Sequence, residues 1–402
     1  MSAKSSKCAL PAERRSVLEN LRRLKMAESA HRFVRGSTQQ FYHWLDRSPA
    51  GDLPVGPSIW ICGDCHVGNL GPIASVNGKI AIQIRDLDQS VIGHPAHDIL
   101  RLALSLASAA RSSNLPGVAT PLMMESLIAG YESAFAKELD ADAEQEVPKT
   151  LRASLRDSAS ANWNSLARER IKNPTPKIPL GRKFWPLTDD ERAEIEQACE
   201  QPSIQRLARQ LKSRDDAAKV KLVDAAYWAK GCSSLGMLRF AAVLEVNGGG
   251  DKSYCLIDFK EAAQSAAPSA KHAIMPANPA ERVAEGARNL SPHLGERLAV
   301  ASLCGKPVFV RELCPQDLKL DLDRIEAKEA PGIAMYLGAT VGRAHSRQLT
   351  ASDRTLWLAE LNKTRSDDLD APNWLWRGVV DLLAVHEKAY LEHCRRHALA
   401  EE

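Results

Sequence analysis

I-C-G-D-C-H-V-G-N-L-G, residues 61–71, is followed by a turn at Asn77-Gly78 and then by K-I-A-I-Q-I-R-D-L-D, residues 79–88. Two short β-branched runs, Ser58–Cys62 and Lys79–Arg85, flank a polar loop of Gly, Asp, His and Asn. That is the pattern of strands delivering a functional loop. Its spacing points to phosphoryl transfer, which takes a carboxylate to accept a hydroxyl proton and oxygen ligands for Mg²⁺. Asp64 has the position of the base. Asn69, five residues on, and Asp86, at the end of the second strand, have the positions of metal ligands. A polar hairpin whose Asp and Asn only cap turns is the plainer alternative. Three roles at matched spacings weigh against it.

These residues carry a resemblance. G-D-C-H-V-G-N (63–69) looks like the G-D-x-H-x-x-N loop of aminoglycoside and choline-type phosphotransferases. D-L-D-Q-S-V-I-G-H-P-A-H-D (86–98) resembles their I-D-F segment with its downstream G-D-P-x-x-D. Over most of its length the chain is similar to the bacterial family catalogued as domain of unknown function 2252. That family shares F-x-R-G (Phe33, Arg35, Gly36), C-G-D-x-H, D-x-D and V-x-E-G (Val283, Glu285, Gly286). The phosphotransferase likeness implies an α+β, protein-kinase-like fold of two lobes. It also implies ATP and Mg²⁺ as donor and cofactor, and a hydroxyl acceptor that is a small molecule rather than a protein.

The second half of the chain supplies further kinase-like elements. Ala225–Lys230 and Met237–Val246 read as strands around a glycine-rich turn, in which Gly231, Ser233, Ser234 and Gly236 would approach nucleotide phosphates. Ser233 departs from the kinase G-x-G-x-x-G pattern. Ser253–Lys260 reads as a strand ending in Lys, like the V-A-I-K strand, so Lys260 is the expected ligand of the α- and β-phosphates. By alternation Asp258 shares its face. A helix from about Pro279 places Glu281 and Glu285 one turn apart, and Glu285 is the expected ion-pair partner of Lys260. Pro307–Leu313 reads as a strand leading into Glu312–Pro315, a hinge at which Glu312 and Leu313 would meet adenine. These elements follow the catalytic loop instead of preceding it, so the fold is expected to be circularly permuted. Three segments result: residues 1–215 as the catalytic, C-lobe-like segment, residues 216–316 as the nucleotide-binding, N-lobe-like segment, and residues 317–402 as a helical return to the C-lobe.

Ala12–Lys25, His31–Leu45, Ala96–Arg111, Pro121–Leu139, Ile333–Ser346 and Pro372–His397 read as helices. Asp98 reads as a cap or a brace for the catalytic loop, His345 as a packed or bracing residue, and Arg35 as a phosphate contact or an ion-pair member. The insert Asn173–Pro186, with Phe184 and Trp185, reads as surface packing. Cys62-Gly63-Asp64-Cys65-His66 also matches C-x-x-C-H, the pattern of haem attachment, redox and zinc sites. Against these stand a polar, basic Met1–Pro11 without an apolar core and the lack of a second ligand pair.

A net charge of +3 on 402 residues does not suggest a nucleic-acid binder. Nine scattered Cys suit a reducing cytoplasm rather than a disulfide framework. No run approaches the length of a membrane span. The competing function is that of a nucleotide-binding pseudokinase, a binding module without turnover.

Overall fold

Alternating apolar residues in three consecutive runs of the second half build the largest sheet. In the computed structural model, residues 8–47, 53–136, 147–167, 176–230, 235–248, 251–317, 320, 326–363, 365 and 370–397 are described. Of these residues 52% are helical and 18% lie in strands, a mixed α+β architecture. In chain order the first elements are α1 (Arg14–Ala27), α2 (Ala30–Gly36), α3 (Thr38–Arg47), β1 (Ile59–Ile61), β2 (Leu70–Ala74), β3 (Ile80–Ile84) and β4 (Val91–Gly93). Next come α4 (Pro95–Ser112), α5 (Ala119–Ala136), α6 (Lys149–Ser160), α7 (Trp163–Leu166), β5 (Phe184–Trp185), α8 (Asp189–Glu200) and α9 (Pro202–Arg209). The sheet-forming half holds β6 (Lys219–Trp228), β7 (Arg239–Gly248), β8 (Asp251–Glu261), α10 (Pro279–Leu290), α11 (Pro292–Gly295), β9 (Leu298–Leu303) and β10 (Lys306–Leu313). The chain closes with α12 (Ala330–Ser346), α13 (Ala351–Asn362) and α14 (Asn373–His397).

Six antiparallel strands form one sheet in the order β5-β6-β7-β8-β10-β9. One face packs on α8 and α9 through Ile195, Ile204 and Leu207, with Phe240, Ile257 and Val310 beneath them. A smaller cluster of Leu166, Ile178, Trp228, Leu256 and Leu313 forms on residues of alternate register. The expected boundary at 215/216 therefore falls inside a packed unit, since α8 and α9 precede it and share a core with the strands that follow. The insert expected to be surface packing differs too. Phe184 and Trp185 are buried as the edge strand β5 and stack on Trp228 and Tyr227.

The first half is organised around α4, in which every residue from Pro95 to Ala110 is buried. A helix covered on all sides serves as a core rod. It contacts α2, α5, α12, α14 and β1. Two short antiparallel pairs lie near it, β1 with β4 and the hairpin β2–β3. Helices α5 and α12 approach so closely that a Cβ on Gly130 would fall 2.0 Å from the Met335 carbonyl oxygen, and one on Gly338 2.2 Å from that of Leu127.

Candidate functional site

The loop between β1 and β2 is shaped by one glycine. Gly63 has φ +73°, and a Cβ there would lie 2.1 Å from the Gln89 carbonyl oxygen. Only glycine fits both the dihedral and the space. Asp64 follows it and is buried. Arg101 of α4, itself fully buried, donates from Nε to Asp64 Oδ1 at 2.9 Å and from Nη2 to the Val34 carbonyl at 2.6 Å. Burial pushes the Asp64 carboxyl up from its ordinary pKa, against the opposing charge of Arg101. His66 Nε2 lies 3.8 Å from Asp64 Oδ2. Burial, and then the charges of Arg35 and Arg101, hold that imidazole far below its usual pKa, so it is neutral.

Behind the loop runs a buried polar chain. Asp98 of α4 accepts from the backbone N–H groups of Cys62 (2.7 Å) and Gly63 (2.9 Å). His345 of α12 is 3.1 Å from Asp98 through Nε2 and 2.9 Å from the Tyr131 hydroxyl through Nδ1, and Trp357 Nε1 donates to that hydroxyl at 3.1 Å. Asp98 and His345 thus brace the loop, as read from the sequence. With both carboxylate oxygens engaged, the loop backbone is held without touching the reacting groups.

Asn69 ends the loop, donating from Nδ2 to the Asp64 carbonyl at 3.1 Å, so its Oδ1 is the atom a cation would take. The hairpin then delivers Asp86 and Asp88. Lys260 of β8 meets both: its Nζ is 3.2 and 3.3 Å from the two Asp86 oxygens and donates to Asp88 Oδ2 as well. Asp88 Oδ1 is buried with no hydrogen-bond partner. Burial would raise both carboxyls, but Lys260 and then Arg311 and Arg239 hold Asp86 below its usual range. Asp88 is pushed up to about 7 by burial and by the Asp86 charge. The carboxylates of Asp86 and Asp88, the latter with one orphaned oxygen, and the Asn69 amide oxygen are hard-oxygen donors of the kind Mg²⁺ takes.

Asp64, Asn69, Asp86 and Lys260 are therefore brought together from the two halves of the chain. The other expected nucleotide ligands are placed differently. Gly231, Ser233 and Ser234 lie outside the described residues; Gly236, at φ +103°, lies in the connection between β6 and β7. Glu285 is a correction: it pairs with Arg288 at 2.7 Å on the solvent side of α10 and not with Lys260. The helix instead presents Arg282 to the Asp86–Ser90 loop, where it donates to the carbonyls of Ser90, Asp88 (2.8 Å) and Ala263 (2.9 Å). Glu285 and Arg288 line a separate cavity of about 690 Å³ with Arg206 and Glu296. Glu312 is buried in a two-pronged pair with Arg214 (2.7 and 2.8 Å), and its carbonyl accepts from Arg297. Leu313 is packed in the core. Asp258, on the Lys260 face, is paired to Arg239 and Arg311.

Sequence reading missed the roles of Asp88 and Arg101. The D-x-D spacing puts residues i and i+2 on one side of an extended segment, and a lone Arg inside an apolar helix needs a partner. Both signals were present. Cys62 and Cys65, with Asp98, offer ligand atoms within 4.8 Å of one another. The set does not fit a metal: there are three donors, the Asp98 oxygens are taken, and both thiols have raised pKa values when ligation needs thiolates. Among the described residues no helix is long and apolar enough to cross a membrane.

The family model described as "Uncharacterized protein conserved in bacteria (DUF2252)" matches residues 14–396, and the chain belongs to that family. No curated protein and no solved structure matches it.

Proposed function

We propose that this member of the family is an ATP- and Mg²⁺-dependent phosphotransferase of kinase-like, circularly permuted fold, acting on a hydroxyl of a small molecule. One observation carries the reading: a strand lysine from the second half, Lys260, meets the carboxylates Asp86 and Asp88, which follow the Asp64–Asn69 loop of the first half. Support also comes from the order of elements on the large sheet: the β6–β7 turn, the lysine strand β8, helix α10 and then β10. Asp64 would accept the acceptor hydroxyl's proton as its oxygen bonds to the γ-phosphorus, while the bond from that phosphorus to the β–γ bridging oxygen breaks and ADP leaves with the electron pair. Asn69, Asp86 and Asp88 would hold Mg²⁺, which when bound supplies charge neutralisation at the phosphates. Lys260 would turn from the carboxylates to the α- and β-phosphates. Asp98 and His345 keep the loop in place throughout.

The competing reading, a nucleotide-binding module without turnover, draws on the burial of Asp64 against Arg101. Single-turnover ATP hydrolysis at high enzyme concentration separates the two. Asp64→Asn should lower the rate by about 10²–10⁴ while leaving nucleotide affinity nearly unchanged, the usual share of general-base catalysis. Asp86→Asn should weaken Mg²⁺-dependent binding along with the rate. Hydrolysis indifferent to both substitutions would leave the binding module ahead.

A further inference from the structure

We propose that the cleft along the free edge of β9 is a docking site for an extended, basic peptide segment of a partner protein. The segment would add to the large sheet as a further strand. This goes beyond the phosphotransferase reading and does not rest on it.

β9 is an outer strand of the six-stranded sheet and pairs on one side only, with β10. The turn between the two fixes which backbone groups are left over. Cys304 and Gly305 both have positive φ, +52° and +68°, as in a two-residue type I′ hairpin. The pair that closes it, Leu303 with Lys306, exchanges hydrogen bonds, and the pattern alternates from there. Ala301 and Ala299 bond to β10, while Ser302, Val300 and Leu298 direct their N–H and C=O groups outward. The far side of β10 agrees: Pro307, opposite Ser302, turns its carbonyl away from β9 to the Ala262 N–H at 2.9 Å. Among the described residues no backbone hydrogen bond reaches Leu298, Val300 or Ser302 from outside the β9–β10 pair. Such a row of free groups is a template for another strand.

Leu298 and Val300 also line the cavity of about 690 Å³, whose walls are α9 and α10. By alternation Leu298 and Val300 pack toward the core that holds α10, and Ala299 and Ala301 toward the core that holds α9. The two helices therefore stand on opposite faces of the sheet with its free edge between them. That is the groove which strand addition uses, where main-chain bonds give affinity and alternate side chains give specificity. A second copy suits it less, because its own β9 would bring the same two flanking helices against the first pair. The charge of the walls selects the segment. Glu285 and Arg288 neutralise each other at 2.7 Å, which leaves the exposed Glu281 and Glu296 against Arg206. A lysine or arginine on the added strand meets this excess of carboxylate.

The test selects random heptapeptides displayed on phage against the full chain, then measures the selected sequences as free labelled peptides by fluorescence polarisation. Enriched peptides should alternate β-branched residues with Lys or Arg and lack Pro at their centre. N-methylation of every second amide should weaken binding tenfold or more in one register and leave it unchanged in the other, as pairing to a strand edge requires. Val300→Pro removes one outward N–H at a position where an edge strand tolerates proline, and should also cost tenfold or more. Glu281→Lys combined with Glu296→Lys should weaken the basic peptides several-fold at low ionic strength, and keeps the test decisive if Val300→Pro does not fold. No enrichment, enrichment of acidic peptides, or N-methylation without a register effect would each overturn the proposal. So would affinity unchanged in the charge-reversed variant. A dimer of the chain alone in sedimentation, broken by Val300→Pro, would assign the edge to a second copy instead.

Discussion

Asp88 holds its proton near neutrality because burial and the Asp86 charge both disfavour a second carboxylate there. The sign of the pH dependence follows. The pKa is raised in the fold, so the folded protein binds more protons than the unfolded chain between the two pKa values. This group's contribution to stability therefore falls as pH rises toward about 7. A divalent cation must displace the same proton, so Mg²⁺-dependent nucleotide affinity should climb between about pH 6 and pH 8. Calorimetric titration across that range should show the climb flattened in Asp88→Asn; an unchanged slope there would move the titrating group elsewhere. Arg101 makes a different prediction. Removing one partner of a buried ion pair leaves the other charge uncompensated, at a cost of about 3–5 kcal/mol. Urea unfolding of Arg101→Met should show a loss of that order, partly recovered when Asp64→Asn is added. Equal losses in the single and double variants would mean that Arg101 acts through packing alone.

At the scale of elements, strands β7, β8 and β10 and helices α4, α10 and α12 were legible because each repeats its apolar period several times. The candidate site was legible where spacing carries chemistry, at Asp64, Asn69, Asp86 and Lys260. What was not legible had no period to read. Strand β5 has two residues, and Phe184 and Trp185 gain their place only by pairing with Tyr227 and Trp228, far along the chain. Glu285 looked like the partner of Lys260 because it stands in a motif, yet α10 turns Arg282 toward the Asp86–Ser90 loop. A single helix period does not say which neighbour lies opposite. The α5–α12 contact is equally silent in the sequence, since it depends on small residues meeting across two helices. Gly338→Ala should force the helices apart, costing about 1–3 kcal/mol as overpacking does. Because α12 carries His345, amide exchange at Cys62 and Gly63, whose N–H groups bond to Asp98, should quicken in that variant. A stability loss with unchanged exchange there would uncouple the helix pair from the loop.

For the whole molecule, the site lies where the large sheet meets the helical half. Besides Lys260, Arg311 of β10 donates to the Arg85 carbonyl at 2.9 Å, and Arg85 donates to the Asp317 carbonyl at 2.8 Å. A ligand that replaces Lys260 between Asp86 and Asp88 would bind both halves at once and stabilise the fold by mass action. Thermal unfolding with Mg·ATP measures this most directly. Native protein should gain stability worth about 2.7 kcal/mol at a hundredfold excess of ligand over Kd. The gain should need Mg²⁺ and shrink in both Lys260→Ala and Asp86→Asn. No gain with ATP or GTP, in Mg²⁺ or Mn²⁺, would contradict the nucleotide site and the phosphotransferase with it.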